Sequence, residues 1–434
     1  MTTNSDSLLL NTTTLSTQVL IPPAPSPNGH FASIKHWYSR SERTSETAEA
    51  RLLSRLQFFS IGGKTVATPK DSKTVARVGL VDLDGDGKRM INTLVIDQSG
   101  NDFAIENGKV TQAKNQSWTV NDIGYSPISQ TQLSVQSDTT AINDKPPSSI
   151  KNLVICHGYG AGLGFFYRNY HDLSQVPGWR IYSIDWLGMG RSSRPKFTIK
   201  SHTFDESVEE TENFFVDSLE KWRQLHKIEK MTLLGHSLGG YFAAVYALKY
   251  PDRVERLILV SPVGIPANLN GPETLRNRIG RTMFNIITKL WDGDITPQLI
   301  MRWAGPFGPS LVNRYTTRRF ANLDEQDQFD LHDYLYHISS APGSGEFALS
   351  RILAPGAFAR KPLINRLPNL KMPTTFLYGQ HDWMDYRAAV EASKNMKVPT
   401  KVITIQDAGH HLYLDNPIEF NKAVVAEMLE KSDV

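Results

Sequence analysis

The longest apolar stretch of the chain, Met231 to Leu248, is interrupted by the pentapeptide Gly235-His236-Ser237-Leu238-Gly239. A membrane span would not hold a histidine, a serine and several glycines at its centre. A buried strand turning sharply into a buried helix would. The two flanking glycines permit the turn, which leaves the serine hydroxyl proud at the end of the strand. The helix N-terminus behind it favours negative charge. This G-x-S-x-G spacing in a strand–turn–helix setting predicts a nucleophilic serine, Ser237. It also predicts a sheet for the strand to belong to.

The rest of the chain supplies that sheet. From residue 151, short apolar runs alternate with helical stretches: Leu153–Cys156, Arg180–Ile184, Met231–Leu234, Leu257–Val260, Thr374–Tyr378 and Lys401–Ile405. Such alternation predicts an α/β fold with a mostly parallel sheet and helices on both faces. Ligands in these sheets bind beyond the carboxyl ends of the strands. The rhythm stops between Val263 and about Leu370, where a helix-, Pro- and Gly-rich stretch reads as a cap. The expected organisation is a flexible tail and amphipathic helix (1–60), a β-hairpin and irregular segment leading into the core (61–150), a first core part (151–262), a helical cap (263–370) and a second core part (371–434).

In the first of these segments, Thr44, Glu46, Glu49, Leu52, Leu53 and Leu56 give a helix with an apolar face opposed by Arg51 and Arg55. Such a helix docks on the core or lies on a membrane surface. Residues 74–97 alternate as a hairpin. Its turn, Asp82-Leu83-Asp84-Gly85-Asp86-Gly87, imitates the start of a calcium loop, but the twelfth position is Thr93 instead of Glu. Asp-Gly is an ordinary hairpin signal, so no metal is expected there.

Composition excludes some classes. A net charge of +3 over 434 residues does not suggest a nucleic-acid binder. The single cysteine, Cys156, lies in an apolar run, so no intrachain disulfide forms and an intracellular compartment is expected. The start has no basic segment of a secretory signal, and the first 34 residues hold no Lys or Arg. Gly158, Gly160, Gly162 and Gly164 do not reproduce a dinucleotide fingerprint, so no nucleotide is expected.

A serine hydroxyl needs a base. His410, in Ala408-Gly409-His410-His411 after the last strand, is the candidate, with His411 assigned to packing. The acid belongs after the preceding strand, in Gly379-Gln380-His381-Asp382-Trp383-Met384-Asp385. Asp382 is preferred and Asp385 is the alternative. The chain order Ser, Asp, His fits. The oxyanion needs two backbone donors, for which the Leu238 N–H and the Tyr159 N–H of His157-Gly158-Tyr159-Gly160 are placed. No metal or organic cofactor is called for.

The strings HGYGAG, DWLGMGRSS, GHSLGGYFA, YGQHDWMD and DAGHHLYLDNP resemble a subfamily of the α/β hydrolases. It holds the mammalian lysophospholipase and lipase-coactivator proteins and the fungal cardiolipin-specific deacylases. The resemblance covers roughly residues 150–434, with a weaker match at Trp37 and Ala48-Glu49-x-x-Leu52-Leu53. It implies the α/β-hydrolase fold and hydrolysis of a phospholipid ester at an anionic membrane surface. The coactivator branch has Asn at the serine position; Ser237 here favours an active enzyme over a non-catalytic lipid-surface coactivator. His410-x4-Asp415 matches a pattern shared with glycerolipid acyltransferases, which implies acyl transfer to lysophosphatidic acid as the alternative. The resemblance points to mitochondria, with lipid droplet, endoplasmic reticulum or cytoplasm as alternatives. Arg276, Arg278, Arg281, Arg318 and Arg319, interleaved with apolar cap residues, are candidates for holding an anionic headgroup.

Overall fold

The six apolar runs form six strands that all point the same way. In the computed structural model these are β3 (Lys151–Cys156), β4 (Trp179–Ile184), β5 (Met231–His236), β6 (Val254–Val260), β7 (Thr374–Gly379) and β8 (Thr400–Ile405). The structure describes residues 21–25, 29–56, 58–61, 64–65, 74–98, 103–106, 109–112, 150–201, 203–266 and 276–430. The expected flexible tail and much of the irregular segment before residue 150 lie outside them.

The hairpin, β1 (Val75–Asp82) and β2 (Met90–Asp97), is part of the same sheet. β2 pairs antiparallel with β4, which gives eight strands in the order β8-β7-β6-β5-β3-β4-β2-β1. Only β2 runs against the others. In the hairpin turn the Asp82 carboxylate accepts the Gly85 and Gly87 amides at 2.9 and 2.8 Å.

Helices cover both faces, so the central strands read as continuous apolar runs and β5 is buried throughout. This is the α/β-hydrolase fold. On one face lie α3 (Phe204–Leu225) and α4 (Leu238–Lys249), whose Phe215 and Phe242 rings stack at 4.3 Å beside Trp186. The other face carries α2 (Glu42–Leu53) and the C-terminal helix Pro417–Leu429, over Phe166 and Tyr413.

The N-terminal helix forms, but the two arginines opposite its apolar face are paired with carboxylates of another helix. A reciprocal cap between Ser41 and Thr44 begins α2. Ahead of it, α1 (His30–Tyr38) exposes Phe31 and Tyr38. Arg51, expected on the solvent side, is buried against Asp333, and Arg55 reaches Asp327 and Asp330, both at 2.7 Å. These carboxylates belong to a distant helix, and local periodicity carries no sign of them.

The cap stretch supplies α5 (Arg281–Asp292), α6 (Pro297–Trp303), α7 (Gly308–Arg319) and α8 (Glu325–Ser340). They lie over the loops that follow the strands. Gln298 of α6 meets Tyr159, Tyr334 of α8 accepts from the Gly164 amide, and Arg319 of α7 meets Asp415. Among the described residues no helix is long and apolar enough to cross a membrane.

Candidate active site

Ser237 sits between β5 and α4 with φ 54° and ψ −118°, a conformation that a non-glycine residue adopts only when its surroundings force it. The forcing contacts are backbone. A Cβ on Gly239 would lie 2.2 Å from the His157 carbonyl oxygen, and one on Gly235 would lie 2.5 Å from the Gly239 carbonyl oxygen. The glycines of the pentapeptide therefore allow β3, β5 and α4 to meet at van der Waals distance. That contact presses the loop after β3 against the serine, since a Cβ on Gly158 would be 2.9 Å from the Ser237 Cβ.

His410 comes to this serine from the far end of the sequence. Its Nε2 is 3.0 Å from Ser237 Oγ, and its Nδ1 is 3.0 Å from Asp382 Oδ1. The Asp382 side chain is fully buried and also accepts the Met384 amide at 2.9 Å. Asp385, the rival acid, is half exposed and spends its carboxylate on Arg387 and the Arg387 amide. The structure thus brings Ser237, His410 and Asp382 into one line and leaves Asp385 out of it.

The neighbouring histidines are distinguished by solvent. Burial, with the His410 charge as a second cause, holds His236 far below the usual imidazole range, and its Nε2 lies 2.9 Å from the His410 carbonyl. Burial likewise holds His411 far below that range. Both are neutral and pack beside His410, as does Trp383 at a ring distance of 5.0 Å.

Leu238 opens α4, so its N–H belongs to the helix's unshared first turn. The Tyr159 loop lies across from it. A chamber of about 610 Å³ is lined by Tyr159, Ser237, Leu238 and His410, with Trp291, Leu349 and Leu353 forming an apolar side. Of the five headgroup candidates only Arg319 lines this chamber. Arg276 and Arg281 border an open depression elsewhere, and Arg278 and Arg318 are exposed. Arg281 opens α5, a helix none of whose residues is buried, and Arg276 and Arg278 precede it. Arg319 is fixed by two 3.1 Å bonds to Asp415, whose Oδ2 also accepts the Gly409 amide at 2.9 Å. Asp415 thereby anchors the residue that precedes His410.

One support was not legible as such. Asp185 is fully buried and accepts the amides of Leu163 and Arg191, both at 2.7 Å, and Asn92 Nδ2 at 2.9 Å. Asn92 and Arg191 are in turn held by Glu49 of α2 at 2.8 and 2.7 Å. Burial pushes the Glu49 carboxyl up to about 7, against the pull of Arg191. The N-terminal helix is therefore wired to the loop that carries Tyr159. The Ala48-Glu49-x-x-Leu52-Leu53 string was its one trace in the sequence.

A family model described as alpha/beta hydrolase fold matches residues 151–417. The chain is 46% identical over 280 residues to a 1-acylglycerol-3-phosphate O-acyltransferase of Arabidopsis thaliana, covering 63% of this chain and 65% of that one. It is 36% identical over 301 residues to a (lyso)-N-acylphosphatidylethanolamine lipase of Homo sapiens, covering 67% and 81%. The match spans just under two thirds of the plant relatives' own length, 65% and 66%. Among solved structures, a Bacillus subtilis hydrolase superposes with TM-score 0.50 at 14% identity, over 91% of this chain and 99% of that one, a likeness of fold alone.

Proposed function

The chain belongs to the alpha/beta hydrolase fold family, and on that premise we propose that it is a serine acyl hydrolase of glycerophospholipid esters. The observation that carries the reading is the line from Ser237 Oγ through the His410 ring to Asp382, with 3.0 Å at each step. In this mechanism His410 Nε2 takes the Ser237 proton as Oγ attacks the ester carbonyl. Asp382 keeps Nδ1 protonated and stabilises the imidazolium. The Tyr159 and Leu238 amides hold the oxyanion. His410 then gives its proton to the departing lysolipid alcohol, and water releases the fatty acid from Ser237 by the same steps.

The apolar chamber wall suits an acyl chain. Exposed apolar residues on α1 and around α6, among them Phe31, Tyr38, Trp303 and Phe307, suit contact with a membrane surface. α1 packs on the turn that carries Phe307, so these side chains share one side of the molecule. Arg319 is the headgroup candidate that this reading retains.

A second reading is transfer of the acyl group to a lysophospholipid hydroxyl in place of water. The activity for which the plant relative is named and the His410-x4-Asp415 spacing favour it. Both reactions pass through an acyl-Ser237 and differ only in the acceptor. The test is Ser237→Ala with cardiolipin and phosphatidylcholine vesicles. Acyl release should vanish while vesicle binding persists and favours the anionic lipid. Retained turnover, or equal and salt-insensitive binding to both, contradicts the proposal.

A further inference from the structure

The loop after β3 is fastened to the core at both ends. At its start the His157 carbonyl accepts Trp186 Nε1 at 2.9 Å, and His157 Nε2 accepts the Trp186 amide at 3.1 Å. At its far end the Leu163 amide donates to Asp185 at 2.7 Å. Between these points the chain bends through Gly160, whose φ of 68° lies in the left-handed region. Among the described residues no group accepts the Tyr159 N–H, so it is available to an oxyanion.

The middle of this loop is held by the cap. The Tyr159 hydroxyl donates to Gln298 Oε1 of α6 at 2.6 Å. Burial, with the Glu346 charge as a second cause, pushes that hydroxyl above the usual phenol range, so it stays a donor. The same glutamine packs on the next residue, since a Cβ on Gly160 would lie 3.3 Å from Gln298 Nε2. Gln298 is in turn fixed by its helix. Thr296, which caps α6, accepts the Leu299 amide at 3.0 Å and donates to Glu346 at 2.7 Å. Near the other end of α6, Arg302 donates to the same buried Glu346 at 2.9 and 2.5 Å and to the Ser339 and Ala341 carbonyls at 3.2 Å. One carboxylate thus pins both ends of α6, and Gln298 extends from it to the loop.

Resting on the reading of Ser237 as nucleophile and the Tyr159 amide as an oxyanion donor, we propose that Gln298 is a positioning residue for the reaction. By holding the Tyr159 ring it sets the amide of the same residue where the oxyanion forms. Tyr159 lines the chamber that holds Ser237 and Gln298 does not, so the glutamine acts on the chemistry through the tyrosine. A donor of this kind contributes only if it is in place before charge develops. Losing its tether therefore slows the chemical step and leaves ground-state binding of the ester unchanged.

A double-mutant cycle in the full-length protein, with p-nitrophenyl butyrate as substrate, tests the assignment. Gln298→Leu and Tyr159→Phe should each lower kcat by about tenfold or more, with KM held within about twofold. The double variant should be no slower than the slower single one, because both changes remove the same hydrogen bond. A short-chain trifluoromethyl ketone supplies a second readout. Its carbonyl carbon bonds to Ser237 Oγ, the hydroxyl proton passes to His410, and an oxyanion is left in place. Its affinity should fall by the same factor as kcat. If Gln298→Leu does not fold, Tyr159→Phe, which deletes one oxygen, carries both readouts. Single variants within about threefold of the parent, losses that multiply in the double variant, or a loss carried by KM alone would each overturn the proposal. Failure of the catalytic reading shows elsewhere, as turnover at the parent's rate in Ser237→Ala.

Discussion

Gly239→Ala separates helix propensity from close approach, because the two predict opposite signs. Gly239 is the second residue of α4, and alanine there should stabilise a solvated helix by roughly 0.8–1 kcal/mol. In this protein the added methyl would sit 2.2 Å from the His157 carbonyl oxygen, 2.9 Å from its carbon and 3.0 Å from the Cys156 carbonyl oxygen. All three neighbours are backbone, so no rotamer change relieves them. Either α4 or the end of β3 has to retreat by roughly 1 Å to reach an ordinary contact. Overpacking of that kind costs about 1–3 kcal/mol, which outweighs the propensity gain. The same retreat separates the Leu238 amide from the Tyr159 amide, and a 1 Å misplacement lowers turnover by about 100-fold. The assay is hydrolysis of p-nitrophenyl butyrate, with urea unfolding on the same samples. A variant that is as stable as the parent and within threefold of its activity would refute the reasoning.

Three further outcomes follow from the same contacts. Asp382→Asn should lower kcat by about 10⁴ by favouring the wrong His410 tautomer, whereas Asp385→Asn should stay within a few-fold; the reverse order would exchange their roles. Glu49→Ala leaves the buried Arg191 with only the exposed Glu42, and should cost about 3–5 kcal/mol in urea unfolding at pH 8, where Glu49 is ionised; a loss under about 1 kcal/mol would contradict the wiring of α2 to the site. Burial, with neighbouring His36, holds buried His332 down to about 3. The unfolded chain therefore binds this proton first, near pH 6.5, and stability that is full above that pH is lost as pH falls towards 3. Between pH 6.5 and 5 the loss should be about 2 kcal/mol, smaller in His332→Gln, and identical slopes in the two proteins would contradict it.

Much of this was legible in the sequence because the relevant signals are local. A strand buried on both faces has to be a continuous apolar run, so β3 to β8 could be read directly. The strand–turn–helix around Ser237 is likewise written in five consecutive residues. The signals that failed are those that depend on distant partners. Arg51 sits on the polar side of its helix by periodicity, yet Asp333 allows it to be buried. Asp382 is preferred over Asp385 from its place after Gly379, but what separates the two carboxylates, His410 on Asp382 and Arg387 on Asp385, is seen only in the structure. The cap arginines share a composition, but only Arg319 of α7 reaches the serine chamber, while Arg276 and Arg281 border a separate depression. The hairpin read correctly as a hairpin. Its union with β4 could not be read, because an edge-to-edge pairing leaves no mark on either strand alone.

The account stands most directly on the nucleophilicity of one hydroxyl. The measurement is intact-mass and peptide mapping of the wild-type chain after brief exposure to a fluorophosphonate, beside Ser237→Ala and His410→Ala. It should yield a single phosphonylated site at Ser237, absent from the first variant and strongly slowed in the second. Wild-type protein that remains unmodified, or modification that persists unchanged without His410, would contradict it.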